Sequence, residues 1–291
     1  MGIRGNLFYI LGGMMVAIIY LSGCDSSKTR VVDAKPSSGG CFIIGGGNKS
    51  DALLKKMIEE AGGERLNYVA VLPMAGEEPD SSFYYFKEDL SKVFSGKILN
   101  FNFADSTRNH QALKDSLLNA DLIYICGGDQ SLFMSYADKF ELRTLIKNAK
   151  SNGALVAGTS AGAAVMSRVM ITGDQLKDSI YNPTYEVIEK NNAIYAKGLG
   201  LLDSVIVDQH FIIRSRYNRI LTALCDYPNH SVVGIDEGTA FIVRGDSAYV
   251  FGDSQVVFVK SKNPCASFGE KWIHKDLNMS IIAQGDGIKL K

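Results

Sequence analysis

A serine set among small residues, where an apolar strand gives way to a helix, is placed to act as a nucleophile. The segment Gly158-Thr159-Ser160-Ala161-Gly162-Ala163 has that form. Ala154–Ala157 reads as a short buried strand, and the run from Ala163 to Ser167 reads as the first turns of a helix. A sharp strand-to-helix turn lifts the side chain at its apex clear of the backbone only if its neighbours are small, a demand that Gly158, Ala161 and Gly162 meet. The first amides of a helix have no intrahelical acceptor, so the Ala161 N–H is available to an oxyanion forming beside Ser160. By itself, G-x-S-x-G also describes an ordinary tight turn, and the rest of the machinery has to be sought elsewhere in the chain.

A serine hydroxyl attacks only when a base takes its proton, and the chain holds four histidines. His110 opens a helix in a polar context, His230 follows Pro228-Asn229 in a turn, and His274 lies in the polar C-terminal segment. His210 alone closes an apolar strand, with Asp208 and Gln209 beside it, and is the best candidate base. Arg214, Arg216 and Arg219 follow it within six residues of one another. On a helical turn Arg216 and Arg219 share a face, so the segment can surround a small carboxylate rather than serve only as a solvated basic surface. A third group should fix the imidazole tautomer. Glu237, after the strand Val232–Ile235, is well placed, and Asp236 and Asp208 compete with it.

Those residues must be positioned by strands that end at one edge. Strand-like runs at Cys41–Ile44, Tyr68–Leu72, Ile98–Phe101, Leu122–Ile125 and Ala154–Ala157 alternate with helical ones at Asp51–Ala61, Ser82–Phe94, His110–Leu118 and Ser131–Ala137. This order implies a mainly parallel sheet covered on both faces. Later runs, Ser204–Asp208, Val232–Ile235, Ala240–Val243, Ala248–Phe251 and Gln255–Lys260, read as a more antiparallel continuation of the same sheet. Ligands of open α/β sheets bind beyond the carboxyl ends of the strands. Gly45-Gly46-Gly47-Asn48, Gly127-Gly128-Asp129-Gln130, Ser160 and Asp208-Gln209-His210 all fall there. The first of these glycine turns lacks the spacing of a dinucleotide loop or a P-loop, and no cofactor is expected.

Taken together, the turn Gly127-Gly128-Asp129-Gln130, the segment Gly158–Ala163, Asp208-Gln209-His210-Phe211 with the three arginines, and Gly234-Ile235-Asp236-Glu237 resemble the cyanophycinases. The resemblance runs from about Cys41 to Val259. It implies an α/β, mainly parallel, flavodoxin-like three-layer sandwich similar to class I glutamine amidotransferases, and a serine peptidase acting on β-aspartyl linkages of peptides such as cyanophycin. By motif it implies Ser160 as nucleophile, His210 as base and Glu237 as the acid that orients it. An oxyanion hole would come from Ala161 and the Gly128-Asp129 turn, with Gln130, Asp208, Gln209, Arg214, Arg216 and Arg219 around the substrate. Two departures bear on pocket shape: Tyr217 and Asn218 stand where small residues are usual, and an insertion spans Gly173 to Lys197. A glutamine amidotransferase would need cysteine at position 160. A lipid-tethered protein that binds anionic peptides without turning them over is the alternative reading.

The N-terminus addresses compartment. Arg4 precedes an apolar stretch, Leu7 to Leu21, that runs into Leu21-Ser22-Gly23-Cys24, resembling a bacterial lipoprotein signal. Residues 1–23 are then a removable signal, 24–40 a lipidated Cys24 and a solvated Ser/Gly/Lys tether, and 41–291 the peptidase domain, held on the periplasmic or extracellular side of a membrane. Zero net charge over 291 residues gives no general attraction to nucleic acid, 46% hydrophobic content supports a sizeable core, and a homodimer is compatible with both. Of the remaining cysteines, Cys41 and Cys126 read as buried strand residues. The set including Cys225 and Cys265 gives only a weak disulfide signal, and no Cys/His spacing matches a zinc site, so no metal is expected.

Overall fold

The computed structural model describes residues 39–177 and 186–290. The signal segment, Cys24 and the tether up to residue 38 lie outside the described residues. Five strands, β1 (Cys41–Ile44), β2 (Tyr68–Leu72), β3 (Lys97–Asn100), β4 (Leu122–Ile125) and β5 (Leu155–Thr159), pair in parallel in the order β1-β5-β4-β2-β3. Their side chains alternate between two cores. Cys41 and Ile43 enter one, Phe42 and Ile44 the other, and β2 and β4 divide in the same way. Burial on both faces explains why these strands read as continuous apolar runs.

Helices α1 (Asp51–Ala61) and α2 (Pro79–Ser91) cover one face; α3 (His110–Leu117), α4 (Gln130–Lys139) and α5 (Leu142–Ser151) cover the other. α1 begins where Ser50 Oγ accepts from Leu53 N–H at 3.2 Å, and α2 begins at Pro79, whose missing N–H costs nothing at a first helical position. The α2 start lies upstream of the expected Ser82, and α5 is an element that the sequence reading did not separate.

The later strands depart from expectation. Only β10 (Thr239–Arg244) and β11 (Ser247–Gly252) continue the main sheet antiparallel beyond β1, ending at β16 (Gly287–Lys289). β8 (Val205–Gln209), β9 (Ser231–Ile235), β12 (Gln255–Ser261) and β15 (Leu277–Ala283) form a second sheet in the order β15-β12-β9-β8. β8 and β9 are parallel because α7 (Tyr217–Asp226) crosses between them. One face of this sheet, with Val205, Val207, Val233, Ile235, Val256 and Phe258, joins a main-sheet core. The other, with Ile206, Val232 and Val257, packs against Ile220, Ala223 and Leu224 of α7. His210 is therefore not on the sheet that presents Ser160. Strands buried on both faces carry no local sign of which sheet they join.

Between the short helix α6 (Ala161–Ala164) and β8 lies a hairpin, β6 (Val169–Gln175) and β7 (Ala193–Lys197), of which the end of β6 and all of β7 fall in the expected insertion from Gly173 to Lys197. A further hairpin, β13 (Ala266–Phe268) and β14 (Lys271–Ile273), follows β12. Cys41 and Cys126 are buried free thiols, as expected, whereas Cys225 and Cys265 form a disulfide that the sequence signalled only weakly. Among the described residues no helix is long and apolar enough to cross a membrane.

Candidate active site

The two sheets meet at Ser160. It follows β5 with φ 53° and ψ −113°, a strained conformation for a residue with a Cβ, and α6 starts immediately after it. The turn closes because glycines stand where backbones touch: a Cβ on Gly158 would lie 2.5 Å from the Gly162 carbonyl oxygen, and one on Gly162 would lie 2.3 Å from that of Ile125.

Ser160 Oγ lies 2.7 Å from His210 Nε2, and His210 Nδ1 lies 2.5 Å from Glu237 Oε1. His210 follows β8 with φ 49°, its own N–H donating to the Gly45 carbonyl at 2.7 Å. The loop after it is anchored by Phe211, fully buried against Gly234, where a Cβ would meet the ring at 2.3 Å. Gly46 lies against the imidazole in the same way, with a Cβ 2.3 Å from Cε1, so the glycine-rich turn after β1 makes room for the histidine.

Desolvation holds the His210 pKa below its ordinary value. Arg214 and Arg216 push the same way, and Glu237 pulls against them. A neutral imidazole at neutral pH, with Glu237 on Nδ1, presents Nε2 as an acceptor to the serine hydroxyl.

The competing carboxylates do other things. Asp236 Oδ1 accepts from the N–H groups of Ile212 and Ile213, each at 3.0 Å, and its Oδ2 accepts from Ser254 Oγ at 2.7 Å, so it fixes the loop behind His210. Asp208, 1% exposed, sits beneath the arginines, with Arg219 Nη2 at 3.0 Å and Arg216 Nη1 at 3.4 Å from Oδ1. It is their counter-ion and does not line the cavity they form, which corrects its expected place beside the substrate.

That cavity, of about 510 Å³, is lined by Gln130, Gln209, Arg214, Arg216 and Arg219, with Ser160 and His210 at its edge. Arg216 and Arg219 are 2% and 1% exposed, so these two are no solvated face, whereas Arg214 is exposed. Arg216 Nη1 donates to Gln209 O at 2.7 Å and Oε1 at 2.9 Å. Nε and Nη1 of Arg219 meet no acceptor among the described residues, which leaves buried donors suited to an anionic ligand. Gln130 Nε2 donates to Ile171 O at 3.2 Å and to Thr172 O, tying α4 to β6. Thr172 and Asp174 of β6 also line the cavity, and the sequence does not point to them, because a hairpin gives no local sign of where it packs.

A second cavity of about 300 Å³ opens on the other side of the serine, lined by Lys49, Tyr85, Asp89 and Tyr124 among others. Gly128, Ser160 and His210 border both. The expected oxyanion donors separate: the Asp129 amide is engaged by Ala75 O at 2.7 Å and its side chain caps α4, so Asp129 is not a donor there. The amides of Gly128 and Ala161 carry no such bond among the described residues.

The sequence profile of peptidase family S51 matches residues 41–251. This chain belongs to peptidase family S51. It is a serine-type hydrolase of that family, which embraces the cyanophycinases it resembles. A cyanophycinase from Nostoc sp. is 28% identical over 262 residues, covering 86% of this chain and 85% of the relative. A peptidase E from Haemophilus influenzae is 22% identical over 208 residues, covering 69% and 81%. Among solved structures, a peptidase from an acI-B1 actinobacterium superposes with a TM-score of 0.60 at 23% identity, over 87% of this chain and 97% of that one, and so shares the α/β fold. A putative peptidase E from Listeria monocytogenes gives 0.53 at 19%, over 75% and 100%.

Proposed function

We propose that this S51 peptidase hydrolyses the amide bond of aspartyl residues, β-aspartyl linkages in particular, through an acyl-enzyme. His210 takes the Ser160 proton as Oγ attacks the scissile carbonyl, Glu237 stabilises the resulting imidazolium, and the amides of Gly128 and Ala161 receive the oxyanion. The imidazolium then protonates the leaving amine, and water reverses the sequence. The observation that carries this reading is the Ser160–His210–Glu237 chain of hydrogen bonds opening onto a cavity with three arginines and unfilled donors.

The arginines select a carboxylate held a fixed distance from the reacting carbonyl. In α- and β-linked aspartate the same number of bonds separates the two groups, so cations alone do not tell the isomers apart. The isomers differ in where the amino nitrogen sits, and Asp174, lining the same cavity, offers it a carboxylate. The leaving residue would occupy the cavity of Lys49 and Asp89, and cyanophycin is one polymer with suitable groups.

Matched β-aspartyl, α-aspartyl and asparaginyl peptides test the reading. Turnover of the β series above the α series is expected. Equal rates on asparaginyl peptides would remove the carboxylate from recognition and the proposal with it. The layering is proposed to be akin to that of class I glutamine amidotransferases. We further propose that Cys24 is lipidated and holds the domain at the bacterial cell envelope. Cys24→Ala should then leave an uncleaved precursor or free the protein from membranes, and processing like the parent's would refute the anchor.

A further inference from the structure

Far from Ser160 in sequence, two sulfurs and an imidazole converge where α7 meets the β13–β14 hairpin. Cys225 lies near the end of α7, Cys265 just before β13 and His274 just after β14. The disulfide Cys225–Cys265 spans a Cα separation of 5.3 Å. His274 Nε2 lies 3.1 Å from the Leu221 carbonyl oxygen, one turn before Cys225 on α7, and 2.9 Å from Cys225 Sγ. Nδ1 lies 3.5 Å from Cys265 Sγ and 4.0 Å from Cys225 Sγ.

We propose that Cys225, Cys265 and His274 form a clamp with two chemical states: a disulfide under oxidising conditions, and a zinc site once a dithiol has opened it. Three observations carry the second state. The ligand set, two thiolates and an imidazole, is one that zinc favours. With Zn–S of about 2.3 Å and Zn–N of about 2.0 Å, a tetrahedral ion places an imidazole nitrogen roughly 3.5 Å from each sulfur, close to the distances Nδ1 already has. The other ring nitrogen lies against both Cys225 Sγ and the Leu221 carbonyl; once the opened sulfur swings to the ion the carbonyl stays with it, a partner that commonly fixes the orientation of a metal-bound histidine.

A small cavity of about 110 Å³ borders Cys265 and His274, with Asn263 and Asp276 in its wall, and gives a fourth ligand such as water a place to stand. The sulfurs themselves must separate to nearly 4 Å around a tetrahedral ion, so bond and metal exclude one another.

The chemistry balances. A dithiol reduces the bond by thiol–disulfide exchange, giving two protein thiols and the oxidised, cyclic dithiol. Zinc then displaces two thiol protons and binds the thiolates beside neutral His274. Each state ties α7 to the hairpin. α7 carries Arg219 and is capped by Arg216, while β14 pairs with residues 188–190 of the chain that returns to the β6–β7 hairpin, through Trp272 N–H to Ile188 O and Lys190 N–H to Glu270 O. The clamp thus braces two walls of the arginine cavity.

The test uses the whole chain, oxidised or reduced with a dithiol that is then removed anaerobically. Equilibrium dialysis against zinc should give one equivalent bound by the reduced chain and none by the oxidised. Cobalt(II) in place of zinc should show thiolate-to-metal charge transfer. Cys225→Ser and His274→Asn, reduced, should each lose the stoichiometric site while Cys41 and Cys126 remain. If the reduced chain loses structure, zinc should restore its circular dichroism.

No zinc uptake on reduction, equal uptake by the oxidised chain or by His274→Asn, or a reduced chain that zinc does not restore would overturn the proposal. A further readout rests on the peptidase reading: opening the clamp without metal should raise KM more than it lowers kcat, and zinc should reverse the change. Zinc stoichiometry is independent of substrate, so failure of that reading and failure of the clamp are distinguishable.

Discussion

The main sheet and the second sheet each supply half of the reactive centre, and they do so in different ways. The main sheet provides Ser160 and the amides of Gly128 and Ala161 through tight turns held by backbone contacts with neighbouring strands: Ser160 N–H donates to Ile44 O at 3.1 Å, and Gly162 packs on the Ile125 carbonyl. The second sheet provides His210, Glu237 and the arginines, and polar side chains hold them: Asp236 fixes the loop of the base, and Asp208, eight and eleven residues before Arg216 and Arg219, neutralises part of the arginine cluster. Attack therefore rests on close backbone packing, whereas activation and recognition rest on a side-chain network that the docking of two sheets assembles.

The largest effect that sharpens this contrast belongs to the first half. Ser160→Ala should lower kcat by about 10⁶-fold, because a triad nucleophile removed alone costs nearly as much as the whole triad. Binding of a substrate analogue should persist, since the arginine cavity is intact. Calorimetric titration beside the activity assay separates the two, and measurable turnover by the variant would move the nucleophile elsewhere.

In the second half, neighbours should behave unequally. Glu237→Gln should reduce kcat by about 10³–10⁴-fold by releasing the imidazole tautomer, a loss that this class of substitution shows elsewhere. Asp236→Asn keeps an oxygen for the Ile212 and Ile213 amides and should act mainly on stability, lowering it by about 1 kcal/mol, read as a fall in Tm. Comparable losses of kcat at both positions would show that the loop's support and the base's orientation are one function.

That pair also shows where legibility stopped. α1 was readable to its ends because Ser50, an apolar stripe and Gly62 mark them locally. β1 and β4 were equally plain. Asp236 and Glu237 could not be told apart from the residues themselves, since both follow one strand and only their opposite directions in space decide between His210 and the loop backbone. The strands of the second sheet have the same doubly buried pattern as those of the first, so the sequence does not separate the two sheets. Cys225 lies on the buried face of α7 and its partner is 40 residues away, so neither residue's surroundings in sequence mark the bond.

Recognition should show a smaller effect. Arg216 spends Nη1 on both Gln209 oxygens and Asp208, and Arg216→Lys keeps the charge but has no second planar nitrogen to offer a substrate carboxylate while holding them. A charge-assisted hydrogen bond is worth about 1.5–3 kcal/mol, so kcat/KM on aspartyl substrates should drop by roughly 10–100-fold. Little change on asparaginyl peptides is expected. A uniform loss on both series would make Arg216 a support for the fold and not a recognition group.

The smallest effect tests the electrostatic link between recognition and the base. His210 must be neutral to accept a proton, and burial together with Arg214 and Arg216 holds its pKa below that of an ordinary imidazole. Activity should thus be on its plateau at pH 7 and fall about tenfold per pH unit once the medium is more acid than that pKa. Replacing Arg214 by Gln removes one repelling charge, so the imidazole holds its proton more readily and its pKa rises. The acid limb of kcat/KM should then move to higher pH while the plateau at pH 8 changes only by the lost binding. Substrate acts in the same direction: a carboxylate seated among the arginines cancels part of their field, and the acid limb of kcat should lie above that of kcat/KM in the parent. The separation should shrink in Arg214→Gln, where less repulsion remains to be cancelled. Paired pH profiles of the two enzymes decide this. A limb that does not move would leave burial and Glu237 in sole control of the base, and the two halves of the site would be joined by position alone.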